Sequence, residues 1–266
     1  MIEAYWQLAR RPFANTPDPA FVYRSESFVE GFSRLLYDAT ELRGGLSLIT
    51  GEIGCGKTML AQALADRLAG SACDVVALQY PKVTPSQMLD RLLRGLGEQR
   101  PPRGKLATIE LLAATLSERH GNGRRPVLVV DEAQLASPSL LEEIRLLTNF
   151  EDRQDKHLHI VLLGQPELRD RVRRHPQIDQ RVSLRFHVEP MEPKDVAGYV
   201  DHRLRVAGRS GAPIFTGDAI ATLADRSAGV PRRVNTIATQ ALFVGAMRHR
   251  ASIDAELITD VADDQE

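Results

Sequence analysis

Eight consecutive residues, Gly51-Glu52-Ile53-Gly54-Cys55-Gly56-Lys57-Thr58, satisfy the spacing G-x-x-x-x-G-K-[ST] in full, an order of residue types suited to holding phosphate. Glycines 51, 54 and 56 let the main chain wrap closely enough for successive N–H groups to point at phosphate oxygens. The partial positive charge of a following helix N-terminus reinforces them. Lys57 can bridge the β- and γ-phosphates of a nucleotide, and the Thr58 hydroxyl can ligate Mg2+. The candidate contacts run from Gly51 through Met59, with Glu52, Ile53 and Cys55 in the loop. The segment follows an apolar run, Leu46–Thr50 (LSLIT), and opens TMLAQALADRL, so strand, loop and helix stand in the order that phosphate binding requires.

A second candidate lies at Val127-Leu128-Val129-Val130-Asp131-Glu132. Four apolar residues ending in two acids place both carboxylates at the carboxyl end of a buried strand, where α/β sheets bind ligands. Asp131 would hold Mg2+ through water, and Glu132 would orient or deprotonate a water attacking the γ-phosphorus. The same pattern, taken alone, also fits an ordinary strand ending in a solvated turn. Ile160–Gly164 is followed by Gln165, whose amide could bond that water or the γ-phosphate, or could serve as a turn residue before Pro166. Arg171, Arg173, Arg174 and Arg181 crowd the segment before a further strand. Most of such a run belongs on a solvated face, while one arginine could project its planar fork into a neighbouring subunit's nucleotide. Gly229-Val-Pro-Arg232-Arg233-Val-Asn235 opens a later helix. Pro231 suits its first turn, and Arg232 and Arg233 are ~100° apart around it, so only one of them faces the loop.

The elements that must position these residues alternate. Leu46–Thr50, Val75–Gln79, Val127–Val130, His159–Leu163 and Val182–Val188 read as strands. Lys57–Leu68, Pro85–Leu96, Thr108–His120 and Ser139–Thr148 read as helices between them. A helix over Ser25–Glu41 precedes the first strand. Continuous apolar runs are the mark of parallel strands buried on both faces, and strand–helix alternation implies a parallel α/β sheet. After Pro190 the pattern is helical: Pro193–Ala207, Thr216–Ser227, Val230–Met247 and Asp254–Val261, with Thr216 and Ser252 as N-caps. Residues 1–25 carry Tyr5, Trp6, Phe13, Phe21 and Tyr23 among Pro12, Pro17 and Pro19, which predicts a mostly extended arm whose aromatics must be buried elsewhere. The expected organisation is an arm over 1–25, a nucleotide-binding core over 26–190 and a helical lid domain over 191–266.

Composition narrows the class. The 266 residues carry 34 Lys plus Arg against 35 Asp plus Glu, which excludes a constitutively basic nucleic-acid coat but not a local basic patch. The longest apolar run, Ala241–Met247, is far short of the ~20 residues that span a bilayer, and the N-terminus has no secretory-signal pattern. Two cysteines, Cys55 and Cys73, suggest neither a disulfide framework nor a clustered metal site, so a reducing cytoplasm is the expected location.

These elements in this order resemble the AAA+ ATPases, and most of all the general secretion pathway protein A (ExeA-type) family. The resemblance is carried by Phe13–Tyr23, the phosphate loop, Val129–Leu147 (VVDEAQLASPSLLEEIRLL), Thr148–Glu151 (TNFE), Ile160–Leu168 (IVLLGQPEL) and Gly229–Asn235. It implies a three-layer P-loop fold with a five-stranded parallel sheet and a C-terminal helical lid, and ATP and Mg2+ as ligands. It also implies a sensor position at Gln165, a second sensor at Arg232 and a trans-acting arginine, best matched by Arg181. A homo-oligomer, hexameric or helical, and a protein client follow from the same likeness. The module is also similar to the ATPases of transposon target selection, which makes duplex DNA the alternative partner, with Arg169–Arg174 either its contact or a solvated helix face.

Overall fold

The computed structural model describes residues 2–16, 18–42, 45–153 and 155–265. Its five strands are β1 (Leu46–Gly51), β2 (Cys73–Leu78), β3 (Arg125–Val130), β4 (His159–Gly164) and β5 (Val182–Val188). They form one sheet in the order β2-β3-β4-β1-β5, and every neighbouring pair is parallel. The apolar runs account for that order. β1 and β4, the most continuous, are buried along their whole length near the centre, while β5, which alternates, lies at an edge.

Two short helices precede the sheet, α1 (Ile2–Tyr5) and α2 (Glu26–Tyr37). The crossovers between successive strands are α3 (Lys57–Leu68), then α4 (Pro85–Gly95) with α5 (Lys105–Gly121), then α6 (Pro138–Leu147), then α7 (Pro166–Arg173) with α8 (Pro176–Asp179). Met88, Leu92, Leu112, Leu116, Leu140 and Ile144 of the middle helices form one buried cluster with Leu48, Leu128 and Ile160 of the strands. The helix starts follow local chemistry. Thr84 Oγ1 accepts from Gln87 N (3.2 Å) and Gln87 Oε1 from Thr84 N (2.8 Å), a complete capping box on α4. Residues 166–179, to which sequence periodicity assigned no element, form α7 and α8, each opening on a proline at its first turn.

At the amino-terminal edge of the sheet one buried carboxylate gathers three strands. Asp38 Oδ2 accepts from Ser47 Oγ of β1 (2.5 Å) and from Ser183 Oγ of β5 (2.9 Å), and Ser47 Oγ also meets His159 Nε2 of β4 (3.0 Å).

By its internal contacts the chain divides into two compact units. The sheet unit comprises Glu30–Glu52 and Leu60–Val188, and the other unit comprises Met1–Val29, Ile53–Met59 and Glu189–Glu266. In the latter, α9 (Pro193–Val206), α10 (Gly217–Ser227), α11 (Pro231–Met247) and α12 (Ala255–Asp263) close around Val196, Leu223, Val234 and Leu257, with Trp6, Phe13 and Phe21 of the N-terminal segment in the same core. Arg203, 4% exposed, fastens that segment. Its guanidinium donates to Pro12 O (2.6 Å), Ala14 O (2.9 Å) and Tyr199 Oη (2.6 Å) and stacks over the Phe21 ring. Tyr199 Oη in turn donates to Asn235 Oδ1 (2.8 Å), and Asn235 Nδ2 reaches Asn15 Oδ1 (3.0 Å). The N-terminal segment departs from a wholly extended form at Ile2–Tyr5 and at a 3-10 turn over Pro19–Phe21, because its prolines begin only at Pro12 and leave residues 2–5 unconstrained. Thr216 caps α10 as expected, whereas α12 is capped by Asp254, immediately before its first residue, and not by Ser252. Among the described residues no helix is long and apolar enough to cross a membrane.

Asp74, at the start of β2, accepts from Arg124 Nε (2.9 Å) and Arg119 Nη1 (2.6 Å). Its hydrogen bond with Arg124, seconded by Arg119, holds the carboxyl below its ordinary value of 3.8. A depressed carboxylate stabilises the fold above the unfolded-state pKa and loses that contribution as pH falls through the folded one. Asp74→Asn is therefore expected to lower stability by about 1 kcal/mol at pH 7, with the gap closing as the pH drops below 4. Urea unfolding of both proteins at pH 7 and pH 3 measures it.

Candidate functional site

Because the strands are parallel, their carboxyl ends share one edge. β1 ends at Gly51, β3 at Val130 with Asp131 next, and β4 at Gly164 with Gln165 next; Thr50 is in register with Gly164 across β1 and β4. The sheet thus brings Gly51, Asp131, Glu132 and Gln165 to the same side. Gly51 is required by close approach: a Cβ there would lie 2.6 Å from the Val188 carbonyl oxygen of β5.

Asp131 is buried, and its Oδ1 accepts from the N–H of Glu132 (2.8 Å). Glu132 is left-handed at φ 51°, a conformation that costs a non-glycine residue of order 1 kcal/mol. What holds it is a residue to which the sequence reading gave no role. Gln134 Nε2 donates to Glu132 Oε2 (2.6 Å), and Gln134 Oε1 accepts from the backbone N–H of Gln165 (3.2 Å). One amide, used at both ends, ties the acid after β3 to the turn after β4. A Cβ on Gly164 would come within 2.7 Å of that amide oxygen, so glycine there leaves the bridge its room. The signal in the sequence was the amide two positions beyond the acids; its reach across to β4 was not readable from spacing.

The arginines separate. Arg171 donates to the carbonyls of Gln134 and Ala136 (the latter 2.7 Å), so it is spent on this same loop. Arg169, Arg173 and Arg174 are exposed on and just after α7. Arg181 precedes β5, whose first residue is in register with Leu46 and whose last is in register with Gly51. Seven residues of strand put Arg181 about 20 Å from the Gly51 edge. It does not join the other candidates.

Within the candidate phosphate loop, Gly51 and Glu52 belong to the sheet unit and Ile53–Met59 to the helical unit. Gly54 and Gly56 have φ of +87° and +98°, Cys55 and Lys57 are buried, and Glu52, Ile53 and Thr58 are exposed. Gly54 packs on the start of α11: a Cβ added to it would lie 2.6 Å from Arg232 Cβ and 3.2 Å from Val230 Cγ1. The N–H of Arg232, one of the donors that a helix start leaves without an intrahelical partner, points at Gly54 O at 3.4 Å. Arg232 and Arg233 are both exposed, and it is the Arg232 stem that lies over the loop.

Residues 41–172 match the AAA domain family. Over 254 residues the chain is 36% identical to General secretion pathway protein A of Aeromonas hydrophila, a match that takes in 93% of this chain and 45% of that protein. The chain therefore spans less than half of that relative's length. Among solved structures it is similar to the Aeropyrum pernix ORC2 protein in its ADPNP–ADP complexes (TM-score 0.74, 17% identity, 97% of this chain and 72% of that one). Drosophila ORC bound to DNA is comparable (0.73, 18%, 97% and 65%), and the Thermotoga maritima RuvB Holliday junction branch migration motor is more distant (0.57, 15%, 88% and 68%). These likenesses establish a P-loop AAA+ fold.

The contrast between two glycines gives a direct check on the loop. Gly56→Ala meets only the cost of a left-handed alanine, about 1 kcal/mol, since a Cβ there would have no neighbour within 4 Å. Gly54→Ala adds overpacking against Arg232 and Val230, for a loss of about 2–4 kcal/mol in all. Denaturant unfolding of the two variants should differ by that overpacking, and equal losses would show that the loop does not bear on α11.

Proposed function

We propose that the chain, whose residues 41–172 match the AAA domain family, is an AAA+ ATP hydrolase that assembles with ATP and acts on a partner assembly. The observation that carries this reading is the single sheet edge shared by Gly51, Asp131, Glu132 and Gln165, with the phosphate loop following directly from it. In this reading the loop N–H groups from Gly51 to Met59 and the Lys57 ammonium hold the β- and γ-phosphates. Glu132 takes a proton from the attacking water, Gln165 orients that water or the γ-phosphate, and Gln134 aims the Glu132 carboxylate. Thr58 and Asp131 offer a hydroxyl and a carboxylate, the hard oxygen donors that suit Mg2+. Bound there, Mg2+ would neutralise phosphate charge. Arg232 senses the γ-phosphate from the start of α11.

The chain would work in three functional parts, the arm 1–25, the core 26–190 and the lid 191–266. Its two free cysteines favour a reducing cytoplasm. Arg181, at the far edge of its own sheet, could meet a nucleotide only in a neighbouring copy, so ATP should favour a hexamer or an open helical assembly. The Aeromonas relative supports a secretion-related client. The exposed arginines of α7 and the DNA in the Drosophila ORC complex support a second reading, an ATP-gated DNA-binding regulator. A mobility-shift titration with duplex DNA, with and without ATP and across a salt series, separates the two. A steep salt dependence would favour DNA, and no ATP-dependent shift would favour a protein client.

Lys57→Ala should abolish binding of a labelled ATP analogue, and Glu132→Gln should keep the analogue while hydrolysing ATP ~10²-fold more slowly. Wild-type turnover in Glu132→Gln would move the base elsewhere. A mixing experiment tests Arg181. Arg181→Ala and Lys57→Ala proteins, each inactive alone, should regain hydrolysis when combined, because an intact finger can then face an intact loop. No recovery at any ratio would count against action in trans.

A further inference from the structure

The amino-terminal edge of the sheet carries a cluster that the ATPase reading does not use. His120 lies in the last turn of α5, Asp152 and Asp155 in the connection from α6 to β4, and His157 two residues before β4 begins. His120 Nε2 and His157 Nε2 are both 3.3 Å from the same oxygen, Asp152 Oδ2. The two imidazoles are stacked, with centroids 4.5 Å apart and planes 21° apart, so their nitrogens converge from one side. Asp155 Oδ2 is 3.9 Å from His120 Nε2, and its side chain is 8% exposed.

We propose that His120, Asp152 and His157 form a site for a divalent transition-metal cation of the Zn2+ class. The three ligand atoms already stand within 4.8 Å of one another. Ligands about 2.0–2.1 Å from a tetrahedral cation stand ~3.4 Å from one another along each edge, and the two observed contacts at 3.3 Å match that edge. Two nitrogens and one carboxylate oxygen suit Zn2+, with Co2+ as its spectroscopic substitute, better than Mg2+.

The surrounding chain presets the donors. Asp152 Oδ1 accepts from the Asp155 N–H (2.8 Å) and Asp152 N–H donates to Asp155 O (3.0 Å), a closed turn that leaves Oδ2 facing the histidines. His157 N–H is held by Phe150 O (2.9 Å). The nearby ammonium of Lys156 is engaged with Glu151 and with Thr148 O (3.0 Å). A cavity of about 20 Å³ lies beside the cluster, lined by His120, Asp155 and His157 together with Arg125, Lys156 and His159. A cation here would staple the end of α5 to the loop entering β4, on the edge where Arg181 precedes β5. The inference rests on these three side chains and not on the nucleotide reading.

The test is a titration of the whole chain with Co2+ and with Zn2+ in the presence of saturating Mg2+ and ADP, so that the phosphate loop is not the source of signal. The wild type should bind about one metal per chain, and Co2+ should give the intense visible bands of a tetrahedral nitrogen–oxygen site. His157→Gln and Asp152→Asn should each weaken Zn2+ binding by roughly 10²-fold or more while keeping the wild-type circular dichroism, and Cys73→Ser should bind as the wild type does. Zn2+ should raise the melting temperature of the wild type and not of His157→Gln. Absence of the visible bands in the wild type, a thiolate charge-transfer band, or unchanged affinity in His157→Gln would overturn the site. Because the optical signature is read on the unaltered chain, an unstable variant does not shelter the proposal.

Discussion

Parallel hydrogen bonding between β1 and its two neighbours, β4 and β5, is the constraint on which the rest of the molecule turns. A parallel strand can be followed by another only through a crossover that returns over the sheet, so each of the five strands must end on the same edge and begin on the other. Everything that emerges after a strand, including the loop after Gly51, the acids after Val130 and the amide after Gly164, is collected on one side without any long-range side-chain contact to bring it there. Everything that precedes a strand, including Arg181, His157 and the Asp38 contacts to Ser47 and His159, is collected on the other. The division of chemistry between the two edges follows from backbone direction alone.

Backbone direction brings residues to an edge; it does not aim them. At the carboxyl edge aiming falls to Gln134, whose amide has both a donor and an acceptor and can hold a carboxylate and an N–H at once. The left-handed backbone at Glu132 is the counterpart of that bridge. An unfavourable conformation persists where its surroundings over-determine it, and here the Asp131 carboxylate below and the Gln134 amide beside it do so. Arg171 completes the support by fixing the carbonyls of Gln134 and Ala136. A carboxylate held in one orientation can serve as a base at a fixed distance, which a freely rotating one cannot.

How far this could be read from sequence depended on whether the signal was local. The glycine spacing, the apolar runs ending in Asp131 and Gln165, and the turn proline of α11 are local, and the strands and most helices lie within a few residues of where those patterns put them. Residues 166–179 escaped because α7 and α8 are too short to show a helical period, and only their opening prolines marked them. Gln134 was visible as a residue but not as a bridge, since its partner is 31 positions away in the turn after another strand. The stacked His120 and His157 were invisible for the same reason: neither stands in a ligand spacing, and the sheet alone makes them neighbours. Arg203 read as one more charged residue of an amphipathic helix, whereas its burial depends on carbonyls at Pro12 and Ala14, nearly two hundred residues earlier.

That last clamp bears on how the helical unit is built. A buried guanidinium is tolerated only when its donors are matched, and Arg203 finds its partners in the N-terminal segment and in Tyr199. Tyr199 passes the chain of hydrogen bonds to Asn235, three residues after Arg232 on α11. The segment, α9 and the start of α11 are thereby one polar network set inside an apolar core that includes Trp6, Phe13 and Phe21. Gly54 rests on the first turn of the same helix. A displacement of the phosphate loop therefore meets Arg232 and Val230 first, and through α11 it meets a network that has no slack, since each of its groups is already bonded at close range. Packed and fully bonded elements respond by moving as a body and not by deforming. The loop, α11 and the N-terminal segment should accordingly shift together, as one body and not as a loop with a strap laid over it.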